Sequence, residues 1–146
     1  MIRVRRGNFL YTLNSIRQRL FAYLESELAR QGIHGITPSH GDILHILYKK
    51  GPLHLRDLTE LSLKDKSTLT TVISRLEENG YVTRVRDEND KRLVNIRFTD
   101  KAETIKPALE QISEKMNSQL FEGLSEEEKN TLFNLMSKIS HNAEKL

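Results

Sequence analysis

The stretch that decides the fold is LKDKSTLTTVISRLEENGYVTRVRDENDKRLVNIRFTD, which runs from Leu63 to Asp100. Its first part has apolar residues at the i, i+3, i+4 and i+7 spacing, which predicts a helix over about residues 66–79. Asp65 can cap the start of this helix, and Gly80 is typical of the residue that follows a helix end. The second part has two alternating segments, YVTRVR and LVNIRF, joined by the polar turn DENDKR. That pattern predicts a β-hairpin.

Three more helices are predicted before this stretch. Apolar residues at helical spacing indicate a first helix over about residues 8–30. Thr37 as N-cap and Pro38 in the first turn indicate a second helix, which ends at Gly51 and Pro52. The segment LHLRDLTELSL is typical of a short third helix. Its expected buried residues are Leu55, Leu58 and Leu61.

Two long helices are predicted after the hairpin. Asp100 and Glu103 indicate a variant capping box for a helix that continues to about residue 120, with a kink near Pro107. Ser125 and Glu128 indicate a second capping box for the last helix. The predicted fold is mainly α with a small β hairpin. It has a winged helix-turn-helix domain at residues 37–99 and a helical dimerisation region formed by residues 1–36 and 100–146.

Composition narrows the possible functions of this 146-residue chain. There are 23 Lys and Arg against 20 Asp and Glu, a net charge of +3, which permits nucleic-acid binding without requiring it. The absence of cysteine excludes disulfides and thiol-based sensing. The N-terminus lacks the apolar core of a signal peptide, and no run approaches the roughly 20 apolar residues of a membrane span. We therefore expect a cytoplasmic protein with no membrane association.

The terminal helices have wide apolar stripes without an obvious partner in the middle unit. One interpretation is that they pack against a second copy of the chain and form a homodimer. The alternative is a monomer in which both ends fold back over the middle. The apolar fraction of 37% gives a lean core, which favours oligomerisation.

The helix at residues 66–79 has a polar face opposite its apolar one. Small hydroxyl residues permit a close approach to a DNA major groove, where they can contact base edges or phosphates. An ordinary solvated helix is the alternative. The polar face presents Ser67, Thr70, Thr71, Ser74 and Glu78, with Arg75 beside them.

The hairpin is rich in cations. A tip arginine, Arg92, suits a narrow minor groove, and Asp90 two residues earlier can hold it in place. A solvated charged turn is the alternative, since Asp87 and Glu88 dilute the positive charge. The cations of the hairpin are Arg84, Arg86, Lys91, Arg92 and Arg97.

Residues 53–103 resemble the MarR family of winged-helix transcriptional regulators, and the helix order extends the resemblance over the whole chain. The family departures are Thr59 in place of alanine, Phe98 in place of leucine and Ala102 in place of glycine. The matching motifs are Asp57-Leu58-Thr59, Leu76-Glu77-Glu78-Asn79-Gly80, Asp90-Lys91-Arg92 and Phe98-Thr99.

The resemblance implies an obligate homodimer that binds a pseudo-palindromic operator on double-stranded DNA, more often as a repressor. It also implies that a small aromatic or phenolic effector binds in a cleft and releases the DNA. The implied DNA-binding residues are Ser67, Thr70, Thr71, Ser74, Arg75, Arg86, Asp90, Lys91 and Arg92. The candidates for the effector cleft are Tyr11, His40, Leu44 and Tyr48, although residues of these types are more often part of a core.

Other classes of function fit the sequence less well. The histidines at 34, 40, 45 and 54 do not have zinc-ligand spacing, so we expect no metal and no cofactor. A protein-binding winged helix would expose large apolar residues, and the polar helix and hairpin do not. No nucleophile elbow, P-loop or zinc-protease helix is present, so we expect no enzyme. Arg3, Arg5 and Arg6 form either a DNA-contacting arm or a disordered tail.

Overall fold

The computed structural model describes residues 6–62 and 64–146. Two short 3-10 turns, Arg6–Asn8 and Pro38–His40, precede the first two helices. Within the described ranges, no helix has both the length and the apolar content that a membrane crossing requires. In chain order, the elements are α1 (Phe9–Arg30), α2 (Gly41–Lys50), β1 (Leu53–His54), α3 (Leu55–Ser62), α4 (Lys66–Glu78), β2 (Val82–Arg86), β3 (Val94–Phe98), α5 (Asp100–Leu120) and α6 (Glu126–Ala143).

The chain divides into two compact units, Met1–Ile112 and Ser113–Leu146. The core of the first unit lies beneath α4, whose four apolar residues are all buried, as predicted from their spacing. Leu28 of α1 and Ile112 of α5 belong to the same core. The division predicted from the sequence, at residues 37 and 99, concerns function and stays a prediction.

The predicted hairpin is confirmed, with Val82 opposite Phe98 and Arg86 opposite Val94. A third strand was missed: β1 pairs with β3 and gives the antiparallel order β1-β3-β2. The sequence prediction placed residues 53–54 in a helix, which is wrong. These two residues instead cover the edge of β3, whose backbone groups would otherwise be unpaired.

Two local predictions also need correction. Leu61 is 47% exposed rather than buried. Leu55 and Leu61 are about 120° apart around α3, and Leu58, which lies between them, points into the core. The cap of α5 is Thr99 rather than Asp100, since the Thr99 hydroxyl accepts a hydrogen bond from the Ala102 N–H at 3.4 Å. The α-helix continues through Pro107, and the kink predicted there stays a prediction.

The second unit contains the end of α5 and all of α6. The predicted capping box is confirmed: the Ser125 N–H donates to Glu128 Oε2 at 2.8 Å, and the Glu128 N–H donates to Ser125 Oγ at 3.2 Å. No residue of α6 is buried. The apolar residues exposed along α6 are Leu132, Phe133, Leu135, Met136 and Ile139.

Candidate nucleic-acid interface

The start of α4 is fixed by Asp65, as predicted. Its carboxylate accepts hydrogen bonds from the Thr68 N–H at 2.8 Å and from the Thr68 hydroxyl at 2.6 Å. These bonds hold the pKa of Asp65 below its usual value. Because the buried face of α4 packs on the core, its opposite face points outward.

The outward face of α4 carries threonine hydroxyls that donate to the helix backbone and so turn their lone pairs outward. Thr70 Oγ1 donates to the Lys66 carbonyl at 2.7 Å, and Thr71 Oγ1 donates to the Ser67 carbonyl at 3.1 Å. A threonine hydroxyl has one hydrogen and two lone pairs, so both side chains keep lone pairs for an incoming donor. Ser67 and Arg75 are exposed on the same helix.

Ser74 belongs to a bridge between α4 and the hairpin. Its hydroxyl accepts a hydrogen bond from Arg84 Nη2 at 2.9 Å. Arg84 also forms an ion pair with Glu77, and its backbone N–H donates to Glu77 Oε1 at 3.3 Å. Sequence reasoning assigned Ser74 to DNA binding and gave Glu77 no role in the site, because the bridge forms only when the chain turns at Gly80 and brings β2 beside α4. Gly80 has a φ of +77°, which favours glycine.

The predicted contact between Asp90 and Arg92 is confirmed at the tip of the hairpin. The Arg92 guanidinium donates from Nε to Asp90 Oδ1 and from Nη2 to Asp90 Oδ2, both at 3.0 Å. This pairing, with a further bond from the Arg92 N–H, lowers the pKa of Asp90. The Arg92 side chain is nevertheless 90% exposed, so the pair holds a cation in solvent at the tip.

Asp87 stabilises the turn between β2 and β3 through hydrogen bonds, a role that sequence reasoning missed. Its carboxylate accepts from the N–H groups of Asn89 and Asp90, at 2.8 and 3.1 Å, and from Asn95 Nδ2 at 3.2 Å. These bonds lower its pKa. An aspartate that accepts from the amide two residues later is common in turns, so the residue type at position 87 could have indicated this role.

The two other cations assigned to the site from the sequence, Arg86 and Lys91, are exposed.

The residues proposed for an effector cleft are not brought together as one open site. His40 and Leu44 are each 3% exposed and belong to the buried interior, whereas Tyr11 is 65% exposed. Tyr48 is half-buried; its hydroxyl donates to the Ala102 carbonyl at 2.7 Å, and burial raises its pKa to about 12. Burial also lowers the pKa of His40, whose Nδ1 accepts from the Thr37 N–H at 3.3 Å. The packing of His40 and Leu44 supports the structural alternative.

The N-terminal arginines are a further prediction from the sequence. Arg3 and Arg5, together with the side chain of Arg6, lie outside the described residues.

Comparison with known proteins identifies the family. Residues 36–94 match the model of the MarR family. The HTH-type transcriptional regulator MgrA of Staphylococcus aureus is 30% identical over 132 residues, which cover 90% of this chain and 86% of MgrA. The chain belongs to the MarR family. It is a transcription regulator and not an enzyme.

Other MarR-family relatives and structures agree. The transcriptional regulator YkoM of Bacillus subtilis is 33% identical over 105 residues, which cover 72% of this chain and 68% of YkoM. The crystal structure of PcaV from Streptomyces coelicolor, in complex with its natural ligand, has a TM-score of 0.81 at 23% identity and covers 98% of this chain and 99% of PcaV. A mutant MarR from E. coli complexed with operator DNA has a TM-score of 0.77 at 22% identity, covering 93% of this chain and 99% of that MarR. These likenesses confirm the winged-helix fold.

Proposed function

We propose that this MarR-family regulator binds a pseudo-palindromic operator as a homodimer and represses transcription until a small aromatic or phenolic acid releases it. DNA binding is supported by one observation above all: the unit Met1–Ile112 presents two surfaces that suit a duplex. One is the acceptor-bearing face of α4, and the other is the exposed Arg92 guanidinium held by Asp90. A related structure, the E. coli MarR mutant, is complexed with operator DNA.

We propose that α4 lies in the major groove and that Arg92 enters the flanking minor groove. A major groove admits an α-helix, and threonine can accept from a base amino group or contact a thymine methyl. A minor groove has negative potential that attracts an inserted arginine. The residues assigned to DNA are Ser67, Thr70, Thr71, Ser74, Arg75, Arg86, Asp90, Lys91 and Arg92.

The homodimer is supported by apolar surface that a single copy leaves exposed. Along α1, the exposed apolar residues include Leu10 and Ile16, and α6 has the exposed set given above. Contiguous exposed apolar surface on a helix marks an interaction site. A two-fold dimer would place two α4 helices on half-sites about 10 bp apart.

The ligand-release part is supported by structural neighbours. BpsR of Bordetella bronchiseptica, with a TM-score of 0.78, is described with regulation of its DNA binding by 6-hydroxynicotinic acid. For this chain, Tyr48 and Tyr11 are the better-placed candidates, because they are at least partly accessible, whereas His40 and Leu44 would need a core movement.

Selection of bound sequences from a random duplex pool tests the DNA-binding part. We expect an inverted repeat whose half-sites are about 10 bp apart. Enrichment of an unpaired half-site would contradict the homodimer, and recovery of no sequence would contradict the proposed function.

Replacing Arg92 by alanine is expected to weaken binding to the selected duplex about tenfold and to lower the slope of log K against log salt concentration by about one unit. The reason is the loss of a cation from the minor groove. Titration by fluorescence anisotropy at several salt concentrations measures both quantities. Arg92→Lys is the companion variant: it keeps the positive charge but loses the planar guanidinium that Asp90 holds at two points, so affinity should fall while the salt slope stays. An unchanged slope in Arg92→Ala would refute the wing assignment.

Replacing Thr71 by valine is expected to change sequence preference more than general affinity. Valine keeps the shape and a methyl group but removes the hydroxyl lone pairs that can accept from a base. Loss of one such contact should reduce discrimination by about 0.5–1.5 kcal/mol, the usual net contribution of a single hydrogen bond. Thr71→Ser, which keeps the hydroxyl, is the matched control. Selection from the same duplex pool compares the variants, and equal losses on every sequence would mean that Thr71 contacts only phosphate.

A further inference from the structure

Ser74 lies at the centre of the outward face of α4. At about 100° per residue, its Cα is about 20° around the helix from Ser67 and lies between Thr70 and Thr71. Those three residues are exposed, whereas Ser74 is half-buried. The Arg84 side chain reaches Ser74 from β2, with Nη2 at 2.9 Å from Ser74 Oγ. The middle of the face therefore differs in its contacts from the residues around it.

The Ser74 hydroxyl also differs in how its hydrogen is used. Thr70 and Thr71 each donate to a carbonyl four residues earlier, so the hydrogen of each hydroxyl is already bonded. Ser74 instead accepts from Arg84, and within the described ranges this is the one hydrogen bond that its hydroxyl forms. A serine hydroxyl has one hydrogen. That of Ser74 is therefore available to an acceptor outside the chain.

The contact with Arg84 favours an acceptor over a second donor at Ser74. A hydroxyl that accepts from a charged donor is polarised, so its own hydrogen becomes a stronger donor. The guanidinium also disfavours another N–H group beside it. Arg84 is itself held, because it forms an ion pair with Glu77 and its backbone N–H donates to Glu77 Oε1 at 3.3 Å. An arginine keeps its proton in proteins, so this arrangement does not change with pH.

We propose that Arg84, held by Glu77, is a positioning residue that makes Ser74 a hydrogen-bond donor and thereby requires an acceptor-bearing base opposite Ser74. Because this role rests on the function proposed above, the base edge concerned is that of the major groove. There guanine presents N7 and O6, adenine N7 and thymine O4, whereas cytosine presents only an amino donor. Ser74 thus selects a purine or thymine and excludes cytosine on the strand that it contacts.

The test compares two duplexes with each protein. Selection from the random pool with the wild type should show one half-site position that recovers guanine, adenine or thymine but not cytosine. Anisotropy with cytosine placed there should give an affinity about three to ten times lower than with the selected base, as expected for one hydrogen bond. In Ser74→Ala, this ratio should fall to less than twofold.

Arg84→Met should lose the same discrimination. Without the guanidinium, the Ser74 hydroxyl can donate to the Thr70 carbonyl and turn its lone pairs outward, where they accept from the cytosine amino group. The double variant Ser74→Ala with Arg84→Met should discriminate no less than either single variant, because the two residues act as one unit. Arg97→Met, which removes an exposed cation from β3, is the matched control and should keep the exclusion of cytosine.

The ratio of the two affinities separates positioning from a structural role. Both affinities come from one protein sample, so a change in stability or dimerisation affects them alike. If Arg84→Met still excludes cytosine, Arg84 does not position Ser74 and the inference is wrong. If Ser74→Ala still excludes cytosine, Ser74 reads no base, and the inference is equally wrong. Either result leaves the proposed function standing as long as the wild type selects an inverted repeat, whereas failure of the wild type to bind any duplex overturns both.

Discussion

Replacing Leu135 by glutamate is expected to yield a folded monomer whose affinity for an inverted-repeat duplex is about a hundred to ten thousand times lower. Leu135 is 52% exposed on α6, a helix with no buried residue, so a carboxylate there does not disturb the interior of the single chain. In a helical dimer interface, the same carboxylate would be buried without a partner. An unpaired buried charge is costly enough to prevent association.

Sedimentation velocity measures the association state, and anisotropy with intact and half-site duplexes measures binding. Asn134→Glu is the control, because it adds the same charge at an exposed polar residue on the face of α6 that lies opposite the apolar stripe. The control should remain dimeric and bind normally. A Leu135→Glu protein that still sediments as a dimer would place the dimer interface elsewhere.

Binding to a half-site distinguishes loss of the dimer from loss of the DNA surface. The face of α4 and the hairpin tip lie in the unit Met1–Ile112, whereas Leu135 lies in the unit Ser113–Leu146. A monomeric variant should therefore keep the weak, salt-dependent binding of a single half-site. Loss of half-site binding together with dimerisation, in a protein with a normal circular dichroism spectrum, would mean that the two units are coupled more closely than we propose.

The features predicted correctly from the sequence are those set by near neighbours in the chain. Asp65 caps the helix that follows it, the spacing of the four apolar residues of α4 defines its buried face, and Asp90 pairs with Arg92 two residues away. Each depends on geometry within one turn of helix or one turn of a hairpin. Residue type and spacing are enough to predict such contacts.

The features that were missed depend on segments brought together by folding. The pairing of β1 with β3 joins residues about 40 positions apart, and nothing in the segment LHLRDLTELSL distinguishes its first residues from a helix. The bridge from Arg84 to Glu77 and Ser74 likewise requires β2 to lie beside α4. Composition alone could only describe Arg84 as one more cation of the hairpin, whereas the structure shows it joining the helix and strand that carry the candidate site.

The close approach between Gly35 and Asn79 is the strongest steric constraint that the glycines of this chain show. A Cβ at residue 35 would lie 2.2 Å from Asn79 Oδ1 and 2.7 Å from Asn79 Cβ, and the φ of +80° is one that L side chains rarely adopt. Asn79 cannot move freely, because its Nδ2 donates to the Arg75 carbonyl at 2.8 Å and its own carbonyl accepts from Lys101 Nζ at 2.7 Å. An added methyl group therefore displaces the end of α4.

Replacing Gly35 by alanine is accordingly expected to lower the free energy of unfolding by about 3 kcal/mol, the sum of about 1–2 kcal/mol for the left-handed backbone and about 1–3 kcal/mol for the overpacked contact. Gly32→Ala is the matched control, since residue 32 has a φ of +69° with no atom within 4 Å of the added Cβ. It should show only the backbone part. Urea unfolding at one fixed protein concentration measures both variants under the same association equilibrium.

The difference in unfolding free energy between Gly35→Ala and Gly32→Ala isolates the cost of the contact with Asn79, because the backbone costs of the two variants cancel. A larger loss in Gly35→Ala, accompanied by weaker binding to the selected duplex, would show that the loop after α1 positions the end of α4 through Asn79. Equal losses would mean that Asn79 moves aside without cost. In that case the bridge from Arg84 to Glu77 and Ser74 would remain as the contact that fixes α4 relative to the hairpin.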